Sequence, residues 1–169
     1  MIPAAFASAH AGSVENAVEL LGSQEDAKLL AGGHSLIPLL RLRFARLSLL
    51  VDIGHLDELR YVRRDGDRIA IGALTRHADL AQDPVLVASC APLADAAAHV
   101  GDPQVRHRGT IGGSVAHGDP VGDLGTILLT LDADLVVVGP DGQRLIPVGQ
   151  FFTGMFQTAL GPQELLTEI

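Results

Sequence analysis

Residues 29–44 read LLAGGHSLIPLLRLRF. Two apolar runs flank Ala31, Gly32, Gly33, His34 and Ser35. The first, AKLLAGG (27–33), predicts a short buried strand that ends in glycines. The second, SLIPLLRLRF (35–44), predicts a helix. Ser35 is placed to cap it, Pro38 falls in its first turn, and Arg41, Arg43 and Arg46 lie toward its C-terminal end, where cations suit the helix dipole. SLLVDIG (48–54) predicts a second buried strand. Strand, helix and strand in that order predict a right-handed βαβ unit. No lysine follows the glycines to grip a phosphate. Glycine permits a positive φ and close backbone approach, and free N–H groups at a helix start attract anions. The loop by itself is equally compatible with an ordinary tight turn.

Upstream, SVENAVELLG (13–22) has helical apolar spacing, with Ser13 as N-cap and Gly22 as stop. Downstream, LRYVRRDGDRIAIGAL (59–74) predicts two short strands around Asp65-Gly66. Helices are expected at RHADLAQD (76–83), VLVASCAPLADAAAHV (85–100) and LGTILLTLDA (124–133). DLVVVGPDGQRLIPV (134–148) predicts a hairpin, and ELLTEI (164–169) a strand. Residues 101–123 predict a long loop, and long loops inside compact domains are commonly functional. The organisation expected is an α/β lobe over 1–54 and an α+β lobe over 55–169, each with one glycine-rich loop.

Composition narrows the function. Apolar residues make up 47% of the 169, enough for a real core. A net charge of −8 argues against nucleic acid and anionic membrane surfaces, so a phosphorylated ligand needs a local device. The single Cys90 excludes an internal disulfide and a cysteine-built metal or iron–sulfur site, and reads as a small buried hydrophobe. No apolar run reaches a membrane span, and the N-terminus lacks a signal-peptide pattern, so cytoplasmic residence is the default expectation.

The second glycine loop is RGTIGGSVAHGDPVGD (108–123). Neither loop is a GxGxxG or GxxxxGK[ST] pattern, and Ser35 lies in GHS rather than GxSxG. A hydrolase built on Ser35 or His117 therefore lacks its triad spacing. His117 and Asp119 are too few for a metal site, and Asp119 before Pro120 reads as a turn residue. Arg106, His107 and Arg108 form a basic cluster that fits a diphosphate, a partner or a solvated loop. Two glycine loops, one per lobe, fit an elongated ligand with a diphosphate at its middle. Gly33 and Gly113 are expected to bring backbone N–H groups against it.

AGGHSLIPLLRLRF together with DPQVRHRGTIGGSVAHGDPVGDL (102–124) resembles the FAD-binding medium subunit of molybdenum hydroxylases, of the carbon monoxide dehydrogenase and xanthine dehydrogenase type. The resemblance covers nearly the whole chain, and the two motifs are specific together. It implies an α+β, two-lobed FAD-binding fold of the vanillyl-alcohol oxidase type. It also implies that Leu30, Ala31, Gly32, Gly33, His34, Ser35 and Leu36 form a first FAD loop. Thr110, Ile111, Gly112, Gly113 and Ser114 match the second, although many relatives carry Asp or Asn at the Ser114 position. Asp123 matches an acidic residue that holds the FAD in xanthine dehydrogenase-type chains.

The activity implied is that of an oxidoreductase subunit. It passes electrons from the [2Fe–2S] clusters of a small partner subunit through FAD to an external acceptor. A large partner subunit holds the molybdopterin. No catalytic acid or base and no metal ligand is expected in this chain. The family's C-terminal domain is expected to be absent, leaving this chain with weak FAD binding of its own. The alternative function is a non-catalytic flavin- or nucleotide-binding module with a regulatory or assembly role.

Overall fold

The computed structural model describes residues 2–169. Strand β1 (Ala7–His10) leads into helix α1 (Val14–Gly22), then β2 (Lys28–Leu30), α2 (Leu36–Leu42) and β3 (Leu49–Asp52). Strand β3 lies between β1 and β2 and is parallel to both. The expected βαβ unit is therefore present, with β1 added at the far edge. Ser13 caps α1 by accepting from the Asn16 amide. Gly22 is the last helical residue rather than the stop, and Ser23 ends the helix. Ser35 differs from expectation too. Its backbone is already helical (φ −94°, ψ −49°), so its hydroxyl is not turned back onto the first amides.

Hairpin β4 (Val62–Asp65) and β5 (Arg68–Ile71) turns at Gly66, whose φ of +61° only glycine adopts freely. Helices α3 (His77–Gln82), α4 (Pro84–Ser89) and α5 (Ala91–His99) follow. The single helix expected over 85–100 is broken at Cys90 (φ −146°, ψ 53°), because Pro92 belongs to the first turn of a new helix. Asp83 caps α4 through the amides of Val85 and Leu86.

The expected long loop at 101–123 is mostly helical. It contains α6 (Pro103–Arg106) and α7 (Ile111–His117), and it runs into α8 (Asp123–Thr130). The TIGG motif is thus the start of α7. Strands β6 (Asp134–Gly139) and β7 (Gly142–Pro147) form the predicted hairpin. A single turn α9 (Val148–Phe151) and a small hairpin of β8 (Phe152–Gly154) and β9 (Gln157–Thr158) were not legible in the sequence. Strand β10 (Leu165–Glu168) returns to pair with β6.

Two main apolar cores result. One lies beneath the parallel sheet and holds Ala17, Leu21, Leu49, Val51 and Ile53. It also draws in Leu56, Leu59, Leu74 and Leu165, all beyond residue 54. The larger core joins α3, α5, α7 and α8 to the second sheet, around Leu80, Ile111, Leu124, Leu128 and Phe151. Strand β10 stitches the two together, since Leu165 faces the first core while Leu166 and Ile169 face the second. Its backbone also continues into β5, with paired bonds between Ile71 and Ile169 and one from the Ala73 amide to the Thr167 carbonyl. Tyr61 donates to Glu168 at this seam (2.6 Å), and burial followed by that carboxylate pushes its pKa up to about 12.

Candidate functional site

The two glycine motifs meet backbone to backbone. A Cβ placed on Gly32 would lie 2.3 Å from the Arg108 carbonyl oxygen and 2.8 Å from Gly109 Cα. Gly109 in turn rests on the His77 ring, with an ideal Cβ 2.8 Å from Cδ2. Gly112 presses α7 onto Ala73, where a Cβ would come within 2.5 Å. These contacts explain three of the glycines by space alone. Gly33 is explained by conformation, since its φ is +79°.

A cleft of about 900 Å³ opens along this junction. Its walls include Leu30 to Leu36 from the first loop and Thr110, Gly112, Gly113 and Ser114 from the second. Segment 153–166 closes a third side, with Phe156, Gln157 and Thr158 from the small hairpin. The volume falls at the upper end of the range for small-molecule and cofactor sites. Of the predicted residues, Ile111 is fully buried in the larger core and Asp123 stands exposed at the first position of α8. Neither lines the cleft.

Hydrogen bonding separates the roles of the two loops. Among the described residues, the amides of Gly32, Gly33, His34, Ser35 and Leu36 donate to no protein group. In the second loop the amide of Thr110 is likewise free among the described residues, but the four that follow it are engaged. Ile111 donates to the Thr75 carbonyl, Gly112 to the Ala73 carbonyl, Gly113 to Thr110 Oγ1 and Ser114 to the Thr110 carbonyl. The expectation that Gly113 offers its N–H to a ligand is therefore corrected: Thr110 has taken it as the N-cap of α7. A run of five unsatisfied amides beside a cleft is an anion-binding arrangement, and the second loop buttresses it.

Charge agrees with that reading. Lys28 and Arg46 line the cleft, against one acid, Glu164. Arg144 neutralises that acid with two bonds of 2.6 and 2.7 Å, and its guanidinium holds the Glu164 carboxyl below the usual range. His34, His77 and His117 complete the titratable lining. On a chain of net charge −8, this is the local device that a phosphorylated ligand needs. Buried His77 has its pKa pushed down to about 4, first by desolvation and then by nearby His34. Its Nδ1 has no hydrogen-bond partner. Asp119 accepts from the Val121 amide (2.9 Å), which is the turn role expected of it. Arg106 holds the carbonyls of Val100 and Gly101, so it shapes the loop.

A family model described as the FAD-binding domain in molybdopterin dehydrogenase matches residues 4–169. This chain belongs to that family. The carbon monoxide dehydrogenase medium chain of Hydrogenophaga pseudoflava is 46% identical, over 100% of this chain and 59% of the relative. The alpha subunit of the 6-hydroxypseudooxynicotine dehydrogenase complex of Paenarthrobacter nicotinovorans is 44% identical, over 100% and 57%. Among solved structures, the carbon monoxide dehydrogenase of H. pseudoflava superposes with a TM-score of 0.97, at 46% identity over 99% of this chain and 59% of that one. Quinoline 2-oxidoreductase of Pseudomonas putida 86 gives 0.96 at 32% identity, again over 99% and 59%. The chain therefore spans about three fifths of the length of the curated relatives it matches. Its fold is the two-lobed α+β FAD-binding type. Among the described residues, no helix is long and apolar enough to cross a membrane.

Sequence reasoning missed two parts of the cleft in this FAD-binding domain: His77, and the β8–β9 hairpin with Phe156 in its turn. Phe156 carries a positive φ of +54°, uncommon for an aromatic residue, and its ring lies 5.2 Å from that of His117. Gly33 yields a direct prediction. Gly33→Ala adds left-handed strain worth roughly 1–2 kcal/mol. The new methyl also meets Ile37 and Leu30 at 3.1 Å, two side chains able to give way. Urea unfolding is expected to register a loss of that size; a midpoint equal to the parent's would show that the loop relaxes to negative φ.

Proposed function

We propose that this chain is the FAD-binding part of an electron-transfer subunit in a molybdenum hydroxylase. The observation that carries the reading is the row of free amides from Gly32 to Leu36 along the cleft. In this reading they donate to the diphosphate of FAD, as Lys28 and Arg46 supply positive charge nearby. Gly32 and Gly109 hold the two loops at touching distance, so the cradle is preformed rather than assembled around the ligand. Ala31, His34 and Ser35 complete the first loop. Thr110, Ile111, Gly112, Gly113 and Ser114 set its position from below. The proposed division into lobes 1–54 and 55–169 places one loop on each.

Bound FAD supplies one- and two-electron redox chemistry; the protein binds and orients it. No side chain here is assigned a catalytic proton transfer. The proposed electron donor is a small [2Fe–2S] subunit, and a large molybdopterin subunit oxidises the substrate. Oxidoreductase activity thus belongs to the complex. The test is to copurify the full-length protein with those two subunits and add substrate of the large subunit. Flavin absorbance near this chain should bleach, and a complex whose iron–sulfur bands bleach while its flavin stays oxidised would overturn the reading.

Asp123 stands outside the cleft lining, and it is proposed to accept a hydrogen bond from a cofactor hydroxyl where FAD extends past the cleft onto the first turn of α8. A charge-assisted bond is worth roughly 1.5–3 kcal/mol, so Asp123→Ala is expected to weaken FAD binding by about ten- to a hundredfold. The carboxylate also sits in the first turn of α8, where its interaction with the dipole is worth about 0.3–1 kcal/mol. An FAD dissociation constant unchanged alongside a small drop in stability would assign Asp123 to the helix alone.

A further inference from the structure

Away from the cleft, His10, Asp52 and His55 converge at the C-terminal ends of β1 and β3. Register pairs His10 directly with Asp52, so neighbouring positions on the two parallel strands bring these side chains together. His55 follows Asp52 by three residues and returns over the strand end. One donor atom from each side chain lies within 4.8 Å of the other two. His10 Nδ1 and Asp52 Oδ2 are 3.5 Å apart, and the two imidazoles meet edge to face at 5.7 Å.

We propose that these three residues form a surface site for a divalent cation of the zinc class. Two imidazoles and a carboxylate are the ligand set that zinc and its first-row neighbours prefer. Ligands at about 2.0–2.2 Å from a tetrahedral ion sit about 3.4 Å from one another, the separation that His10 and Asp52 already have. The carboxylate is aimed from behind. Its Oδ1 accepts the Gly54 amide at 2.8 Å, which leaves Oδ2 toward His10. Nearby cationic Arg60 does not oppose the ion, because Asp57 binds its guanidinium at 2.6 Å and its other nitrogen donates to the Gly54 carbonyl. His10 is 77% and Asp52 34% exposed, so the remaining coordination positions go to water.

The site has a structural consequence. It ties the ends of β1 and β3 to the segment that starts at Gly54, and Gly54 abuts Ala31 of the first glycine loop, with an ideal Cβ 3.5 Å from its carbonyl oxygen. Metal binding is therefore expected to raise the melting temperature as free zinc rises, by mass action. None of the three ligands lines the cleft, so the proposal stands apart from the cofactor assignment.

The test uses the full-length protein stripped with a chelator and desalted. Zinc chloride is titrated by calorimetry, and cobalt binding is followed by visible absorbance. One equivalent is expected to bind. His10→Ala and His55→Ala should each weaken binding at least tenfold, with flavin content and metal-free melting temperature unchanged. His99→Ala is the control, since that ring faces only Asp95, at 3.7 Å. Equal zinc affinity in the parent and in the His10→Ala/His55→Ala double variant would overturn the proposal. So would His55→Ala binding as tightly as the parent, which would reduce the site to an ordinary His10–Asp52 pair.

Discussion

Gly32→Ala is expected to yield a protein that carries no flavin and unfolds at markedly lower urea concentration. The added methyl would sit 2.3 Å from the Arg108 carbonyl oxygen and 2.9 Å from its carbon. Both atoms are backbone, and Gly109 behind them is braced by His77. No side-chain rotation relieves the clash, so the two glycine loops must separate. Overpacking typically costs 1–3 kcal/mol, and a rigid neighbour puts this variant at the upper end, about 3 kcal/mol. Separation also widens the cleft at the point where the free amides lie. Gly12→Ala is the matched control, because an added Cβ there meets nothing within 4 Å. Flavin content after purification and the urea midpoint provide the two readouts. A Gly32→Ala protein with full flavin and parental stability would mean that the loops do not touch in solution.

That contact illustrates what the sequence conceals. The strands and helix around Gly32 were legible because apolar periodicity, glycine and proline all pointed the same way. The reason for Gly32 itself was not, since its neighbour is Arg108, seventy-six residues along the chain. The TIGG segment failed differently. Two glycines lower helix propensity by about 1 kcal/mol each, so a loop was the better local reading. Packing of Gly112 onto Ala73 and the Thr110 cap override that preference and make it α7. The same segment explains why the two motifs could not be told apart in function. Whether an amide is free depends on carbonyls at Ala73 and Thr75, which no motif records. Strands β8 and β9 span three and two residues, too few to show any period, so the third wall of the cleft went unread.

His77 was invisible for the same reason, and it gives the protein an acid-sensitive point beneath the cleft. The ring is 3% exposed, its Nδ1 is unpartnered, and the other titratable group acting on it is a second imidazole, His34. Nothing among the described residues compensates an imidazolium there, so the folded protein keeps His77 neutral down to about pH 4. An unfolded chain protonates the same ring near pH 6.5. Between those values the unfolded state binds the extra proton, so stability is full above about 6.5 and falls as pH drops toward 4. The whole shift corresponds to about 3 kcal/mol. His77→Leu removes the titration while keeping the backbone amide that donates to the Gly109 carbonyl at 3.0 Å. Urea unfolding from pH 7.5 to 4 should therefore show the parent losing about 3 kcal/mol more than the variant. Parallel curves would mean that the ring finds water or a partner when protonated. Because Gly109 rests on this ring and carries the contact to Gly32, flavin release is expected to follow the same acid limb, and to move to lower pH in His77→Leu.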